Sequence, residues 1–286
     1  MLKRAVARWQ AELVVFGLVL AYTAVALIVN GCGGDGGGGQ PLASSRSAVE
    51  DIARTTNLIQ KFTKEASRPR LAVLRSRQAT CPQVTINWER PNLLVITVDY
   101  GSGCRDEEGD FFKGSVSIRI HDPELDEEGD LIGASRIVIS YNNFSDGRQT
   151  ISGSVTASSL EFNPEGDLVS FGYSGDIRYT NTTGCSLRLV EEGTITEIDE
   201  TKFTETGSGE VSGSLNASYQ MSDLLWDLAS DCDYPEDGVL QITSGGRTET
   251  WTFSSVCGRA TVAVDGKPQV VTLPPLEKDD PDDPCD

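Results

Sequence analysis

Seven cysteines and a single histidine bound the chemistry open to this chain of 286 residues. Cys32 stands apart, at the end of an apolar run. The other six, Cys81, Cys104, Cys185, Cys232, Cys257 and Cys285, form an even set. No two of them have the spacing of roughly two to four residues usual for zinc ligands, and only His121 is available for a mixed site. An even set without ligand spacing predicts disulfides, formed outside the reducing cytoplasm. Cys81 lies 23 residues before Cys104 and Cys232 lies 25 before Cys257, each pair bracketing a strand, a turn and a second strand. Joining neighbours across a hairpin predicts Cys81–Cys104 and Cys232–Cys257, which leaves Cys185 with Cys285 or, as the alternative, Cys285 free or paired between chains.

Carboxylates are the other reactive groups in number, with 43 Asp and Glu against 24 Lys and Arg. Asp106-x-Glu108-Gly109-Asp110 and Asp126-x-Glu128-Gly129-Asp130 present the same spacing of oxygen ligands, a pattern suited to calcium but not to an EF-hand loop. These strings, Glu191-Glu192 and the tail from Asp279 to Asp286 read as turn carboxylates, which are ordinarily solvated. A carboxylate pair for glycoside hydrolysis would have to be assembled by the fold from this pool. His121 precedes Asp122-Pro123 at a strand end, and no Gly-x-Ser-x-Gly turn accompanies it, so it reads as a solvated loop histidine. Trp88, Trp226 and Trp251 read chiefly as core, with a sugar-stacking surface as the alternative. The sequence assigns no catalytic residue, no metal ligand and no cofactor.

The elements that must position these groups begin with the N-terminus. Lys3, Arg4 and Arg8 precede a stretch from Leu13 to Val29 without a charge, the layout of an export signal. The stretch ends at Val29-Asn30-Gly31-Cys32 and gives way to Gly33-Gly34-Asp35-Gly36-Gly37-Gly38-Gly39, a flexible tether by composition. These residues resemble a bacterial lipoprotein precursor with its lipobox. The resemblance implies cleavage before Cys32, lipid including palmitate on that cysteine, and, with Gly33 following, delivery to the outer membrane. Acyl chains anchor through roughly 0.8 kcal/mol per buried methylene. An uncleaved transmembrane anchor is the competing reading, and it too exports the remainder.

Residues 46–78 carry eight basic side chains against three acidic ones, a net +5 in a chain whose total is −19. Residues 79–286 carry 13 basic and 38 acidic residues, a net −25, which argues against nucleic acid as a partner and against direct docking of the domain on anionic lipid. Ser47-Ala48-Val49-Glu50 has capping-box spacing, and Val49, Ile52, Ile59 and Phe62 recur on one helical face until Arg68-Pro69. This helix is expected to pack on the acidic domain rather than to lie on headgroups.

From Thr80 to Leu273 the period is two. Val84, Ile86 and Trp88 alternate with polar residues, as do Val116, Ile118 and Ile120, and later Val211, Leu215, Ala217 and Tyr219. Asp146-Gly147, Gly245-Gly246 and Asp265-Gly266 mark turns. Glycines inside the strand patterns at Gly114, Gly153, Gly175 and Gly209 favour bulges and curvature. The unit Gly114-Ser115-Val116-Ser117-Ile118 recurs at Gly153 and at Gly213 with unequal spacing, which rules against a solenoid. The run from Met221 to Leu228 is expected to form a helical turn over the open side of the sheet.

The expected fold is mainly β, a curved antiparallel sheet or open half-barrel with one N-terminal helix packed on it. Its parts are a signal peptide (1–31), a tether (32–46), the basic helical segment (47–78), the β domain (79–276) and an acidic tail (277–286). Cys81-Pro82, Val98-Asp99-Tyr100-Gly101, Gly103-Cys104 and Cys232-Asp233-Tyr234-Pro235 resemble a loosely defined group of uncharacterised, β-rich envelope lipoproteins. That likeness implies a fold and no activity. The expected function is a non-enzymatic module held at the membrane through Cys32, binding a protein, glycan or apolar ligand. Calcium-dependent adhesion or glycan binding is the alternative, and a carboxylate hydrolase ranks below both.

Overall fold

A computed structural model describes residues 81–273, apart from 106–110, 126–130, 148, 165–166, 182–185, 200, 214–215, 228, 231, 233 and 265. The alternating pattern becomes strands β1 (Gln83–Arg90), β2 (Leu93–Arg105), β3 (Phe111–His121), β4 (Glu124–Leu125), β5 (Leu131–Gly133), β6 (Arg136–Ser145), β7 (Gln149–Phe162) and β8 (Leu168–Asn181). It continues as β9 (Ser186–Asp199), β10 (Lys202–Gly213), β11 (Ala217–Asp227), β12 (Asp237–Ser244), β13 (Arg247–Phe253), β14 (Arg259–Val264) and β15 (Lys267–Thr272). Thirteen of these strands form one antiparallel sheet in chain order, and β4 pairs with β5 as a separate hairpin between β3 and β6. Short turns enforce this meander, because antiparallel neighbours need no crossover. At the β12–β13 hairpin Ser244 pairs with Arg247, and Gly245 and Gly246 both take the positive φ that a two-residue turn demands.

Directly opposed residues share a face, so the register links inward side chains into rows. One row runs from Ile86 through Ile96, Ile118, Ile139 and Val155 to Gly175, Glu191, Gly209 and Tyr219. It leaves through Ile242, Glu249 and Val264 to Lys267 on β15. The next row passes through Leu94, Ile120, Ile137, Ala157 and Tyr173, and later through Met221, Leu240, Trp251 and Val262. Apart from Ile86 on the edge strand and the partly buried Val264, these apolar side chains belong to one buried cluster that reaches from β2 to Leu273. Strongly twisted sheets of more than about ten strands curl. With no helix among the described residues, the sheet covers its inner face by curling over it. Its edges β1 and β15 do not pair, so it remains open.

Disulfides clasp two hairpins. Cys81–Cys104 spans β1 and β2 with 6.1 Å between Cα atoms, and Cys232–Cys257 spans β12 and β13 with 5.4 Å. Cys185, Cys285, the helix expected over residues 47–78 and the acidic tail lie outside the described residues.

Two local expectations are corrected. Met221–Asp227 belongs to strand β11 and is not a helical turn. A register shift between Ser222 and Leu225, with Asp223 in the left-handed region, turns both Met221 and Leu224 inward and so imitates helical spacing. The run of Val211, Leu215, Ala217 and Tyr219 is not one strand: β10 ends at Gly213, β11 begins at Ala217, and Val211 pairs with Ala217.

Candidate functional site

The inner face is apolar until it reaches β8–β11. On β9 the inward residues are Leu187, Leu189, Glu191, Gly193 and Ile195, so the alternation itself drives one carboxyl group into the core. On β10 the same parity turns Glu205 inward. Each carboxylate meets a tyrosine. Tyr219 Oη donates to Glu191 Oε2 at 2.9 Å, and Tyr173 Oη donates to Glu205 Oε1 at 2.8 Å.

In both pairs the tyrosine reaches across a glycine on the intervening strand to a glutamate two strands away. Tyr219 on β11 reaches Glu191 on β9 across Gly209 of β10. Tyr173 on β8 reaches Glu205 on β10 across Gly193 of β9. A Cβ on Gly209 would stand 2.4 Å from Tyr219 Oη, and one on Gly193 would stand 2.8 Å from Tyr173 Oη. The missing side chains are therefore what lets each ring lie along the sheet, an aromatic covering a cross-strand glycine.

Burial pushes Glu191 up to about 8, helped by the nearby Glu205 and opposed by the Tyr219 hydrogen bond. At neutral pH Glu191 therefore keeps its proton. Burial also raises Glu205, against the stabilising bond from Tyr173 and the Trp226 indole, whose N–H faces the carboxylate short of hydrogen-bond geometry. Burial, then the adjacent carboxylate, raises both tyrosines well above the ordinary phenol range. Glu191 Oε1, Glu249 Oε2, Trp226 Nε1 and Trp251 Nε1 are buried without a partner. Glu191 Oε1 lies over Gly175, 3.7 Å from where a Cβ would sit. The arrangement stores protons inside the sheet.

Glu191 is a correction to the expectation of a solvated turn pair: it is buried in the middle of β9 while Glu192 faces out. Counting by twos from Leu187 and Leu189 would have placed it inward. His121 ends β3, with its Nε2 3.3 Å from Arg136 Nη2. Ser135 Oγ donates to Asp122 Oδ2 at 2.7 Å, so serine, histidine and aspartate are neighbours without forming a relay. Trp226 and Trp251 are buried, whereas Trp88 is half exposed. Cys32 and both acidic strings at 106–110 and 126–130 lie outside the described residues. Among the described residues, no group of three His, Cys, Asp or Glu is placed to hold a metal ion. No family model matches the sequence, and no curated protein or solved structure matches the chain.

Proposed function

We propose that the protein is a lipid-anchored, non-enzymatic module of the cell envelope that binds a protein or glycan partner through its surface. The observation that carries this reading is the filled inner face. Trp226, Trp251 and the isoleucine rows occupy the space in which a half-barrel carrier would hold an apolar ligand. The two raised carboxylates are each engaged by a tyrosine within that same filled face. Recognition is thereby left to the outer surface and to the edges.

The anchor places this module at a membrane, on the outer membrane under the sorting that Gly33 implies. Substituting Cys32→Ser is expected to abolish palmitate labelling and to leave the chain unprocessed, with residues 1–31 still attached. Undiminished labelling of that variant would overturn the anchor. Crosslinking in intact envelopes tests the binding role: the partner is expected on the anchored chain and is lost when residues 1–32 are replaced by a cleavable export signal without a lipidation site. Crosslinks that form only within the chain itself would refute it.

The helix expected within residues 47–78 has a docking place in this reading. The inward rows run out to solvent at β1, where Val84, Ile86 and Trp88 are 40, 36 and 49% exposed, while Leu94 and Ile96 beside them are 4 and 1%. Residues 46–78 end one residue-pair before Cys81, and their net +5 complements the acidic sheet. A helix with Val49, Ile52, Ile59 and Phe62 on one face is proposed to dock on that stripe. Acrylamide quenching reads the contact, because Trp226 and Trp251 are already shielded by the core. Ile52→Asp or Ile59→Asp is expected to raise quenching about two-fold by uncovering Trp88. Equal quenching in parent and variants would remove the helix from β1.

A further inference from the structure

Two cations of this acidic sheet are neutralised where they stand. Arg188 pairs with Asp176 at 2.6 Å, and Lys202 pairs with Asp227 at 3.1 Å and with Glu236 at 3.4 Å. The corner formed by β1, β3 and β6 is different. The register aligns Arg90 with Leu93, Leu93 with His121, and His121 with Arg136, one row across four strands on the face opposite Leu94 and Ile120, with Leu93 itself buried. Arg119 stands two residues from His121 on β3 and faces the same way. Strand spacing of about 4.8 Å and a rise of about 3.4 Å per residue put all three arginines within a patch of roughly 14 by 7 Å. Among the described residues, none of the three makes an ion pair.

The corner is also braced. Asp122, in the left-handed region at φ 49°, accepts from Asn92 Nδ2 at 2.8 Å and from Ser135 Oγ at 2.7 Å. Its own N–H donates to the Asn92 carbonyl, and the Ser135 N–H donates to the His121 carbonyl. These bonds tie the β1–β2 turn, the end of β3 and the start of β6 together. Asp122 is thus engaged by neutral donors instead of by the arginines. Glu89 and Glu124, the other described carboxylates adjoining the row in sequence, make no ion pair with them.

We propose that Arg90, Arg119 and Arg136, arrayed around His121, form a binding site for a phosphate group. Guanidinium forks match phosphate oxygens in pairs, and a braced sheet surface holds the forks at fixed spacing. Partial burial, then Arg136, and more weakly Arg119 and Arg90, hold His121 below its usual range, while Asp122 opposes them. A bound phosphate supplies the missing counter-charge. His121 then protonates more readily and donates to it. The site stands whether the phosphate is soluble or belongs to a lipid headgroup.

His121 is the only histidine in the chain, so its ring resonances report on this corner alone. The lipidated chain in uncharged maltoside micelles is titrated with inorganic phosphate against chloride at equal ionic strength. His121 is expected to titrate at least about half a pH unit higher in phosphate, with millimolar half-saturation. Arg119→Gln and Arg136→Gln are each expected to weaken that response about ten-fold or more, with Tm unchanged, and Arg188→Gln to leave it intact. A second arm dopes the micelles with phosphatidylglycerol or with a fatty carboxylate. A response to phosphatidylglycerol but not to the carboxylate assigns the phosphate to a headgroup, and a response to inorganic phosphate alone assigns it to a soluble ligand. Titration curves identical in chloride, in inorganic phosphate and in phosphatidylglycerol-doped micelles overturn the site, as does an equal response to the carboxylate.

Discussion

Raising the pH from about 5 to about 9 destabilises this sheet, by on the order of 4 kcal/mol, and Glu191→Gln removes most of that loss. The folded chain holds the Glu191 proton up to about pH 8, whereas the unfolded chain releases it near the ordinary value of 4.5. The stabilising effect of the protonated group is therefore fully present below the unfolded value. It is lost as pH rises through the folded one, at about 1.4 kcal/mol per pH unit while the two states differ by a proton. Glu205 is raised for the same reason and acts in the same direction. The depressed carboxylates Asp122, Asp176, Asp199 and Asp227 change protonation below this window and leave it undisturbed. Both tyrosines change above it, and His121, held low in the folded chain, acts in the opposite direction at the acid end of the window. Urea unfolding at pH 5.5, 7 and 8.5 checks the sign, and a stability that is level or rising across that range would rule the buried proton out. Glutamine keeps an oxygen for the Tyr219 hydroxyl, so the variant's flatter profile isolates the charge from the hydrogen bond.

The second large effect comes from one methyl group. Gly209→Ala is expected to cost about 2–5 kcal/mol, the sum of overpacking and of a buried carboxyl left without its donor. The added Cβ would stand 2.4 Å from Tyr219 Oη and 2.5 Å from Cζ, so the ring must leave and Glu191 loses its bond. Gly209 has ordinary strand dihedrals, which excludes backbone strain as the source. Two variants separate the causes. In a Tyr219→Ala background the further cost of Gly209→Ala should fall below about 1 kcal/mol, a coupling that a thermodynamic cycle measures. Gly175→Ala, whose Cβ would meet nothing closer than 3.5 Å, should be neutral or mildly stabilising. Equal penalties at Gly175 and Gly209 would show that the tyrosine plays no part.

Much of the fold was legible because period-two patterning is local. Val116, Ile118 and Ile120 announce their strand, and the pair Gly245-Gly246 announces its hairpin. The pattern misleads where one inserted residue resets it. At Asn143, also in the left-handed region, Tyr141 and Phe144 both turn inward, as Met221 and Leu224 do across Asp223. The candidate site was illegible for a different reason. Glu191-Glu192-Gly193 has the composition of a turn, and only pairing with β8 and β10 reveals it as mid-strand. The tyrosine partners lie 28 and 32 residues from their glutamates in sequence, and no short motif records such a distance. The three arginines around His121 are brought together by register alone.

Sequential pairing of neighbouring strands also decides how the molecule responds to a mechanical pull. Tension entering from upstream of Cys81 loads β1 first, because β1 is an edge with a single partner. Pulled at one end, an edge strand peels by breaking its hydrogen bonds in succession, the weakest geometry a sheet offers. The Cys81–Cys104 link bars that mode by passing the load covalently into β2. Tearing must then start between β2 and β3, where apolar rows on the inner face resist along with the backbone. At the other end β14 and β15 carry no described crosslink between them, so a pull from beyond Thr272 unzips the sheet more easily than a pull from the tether.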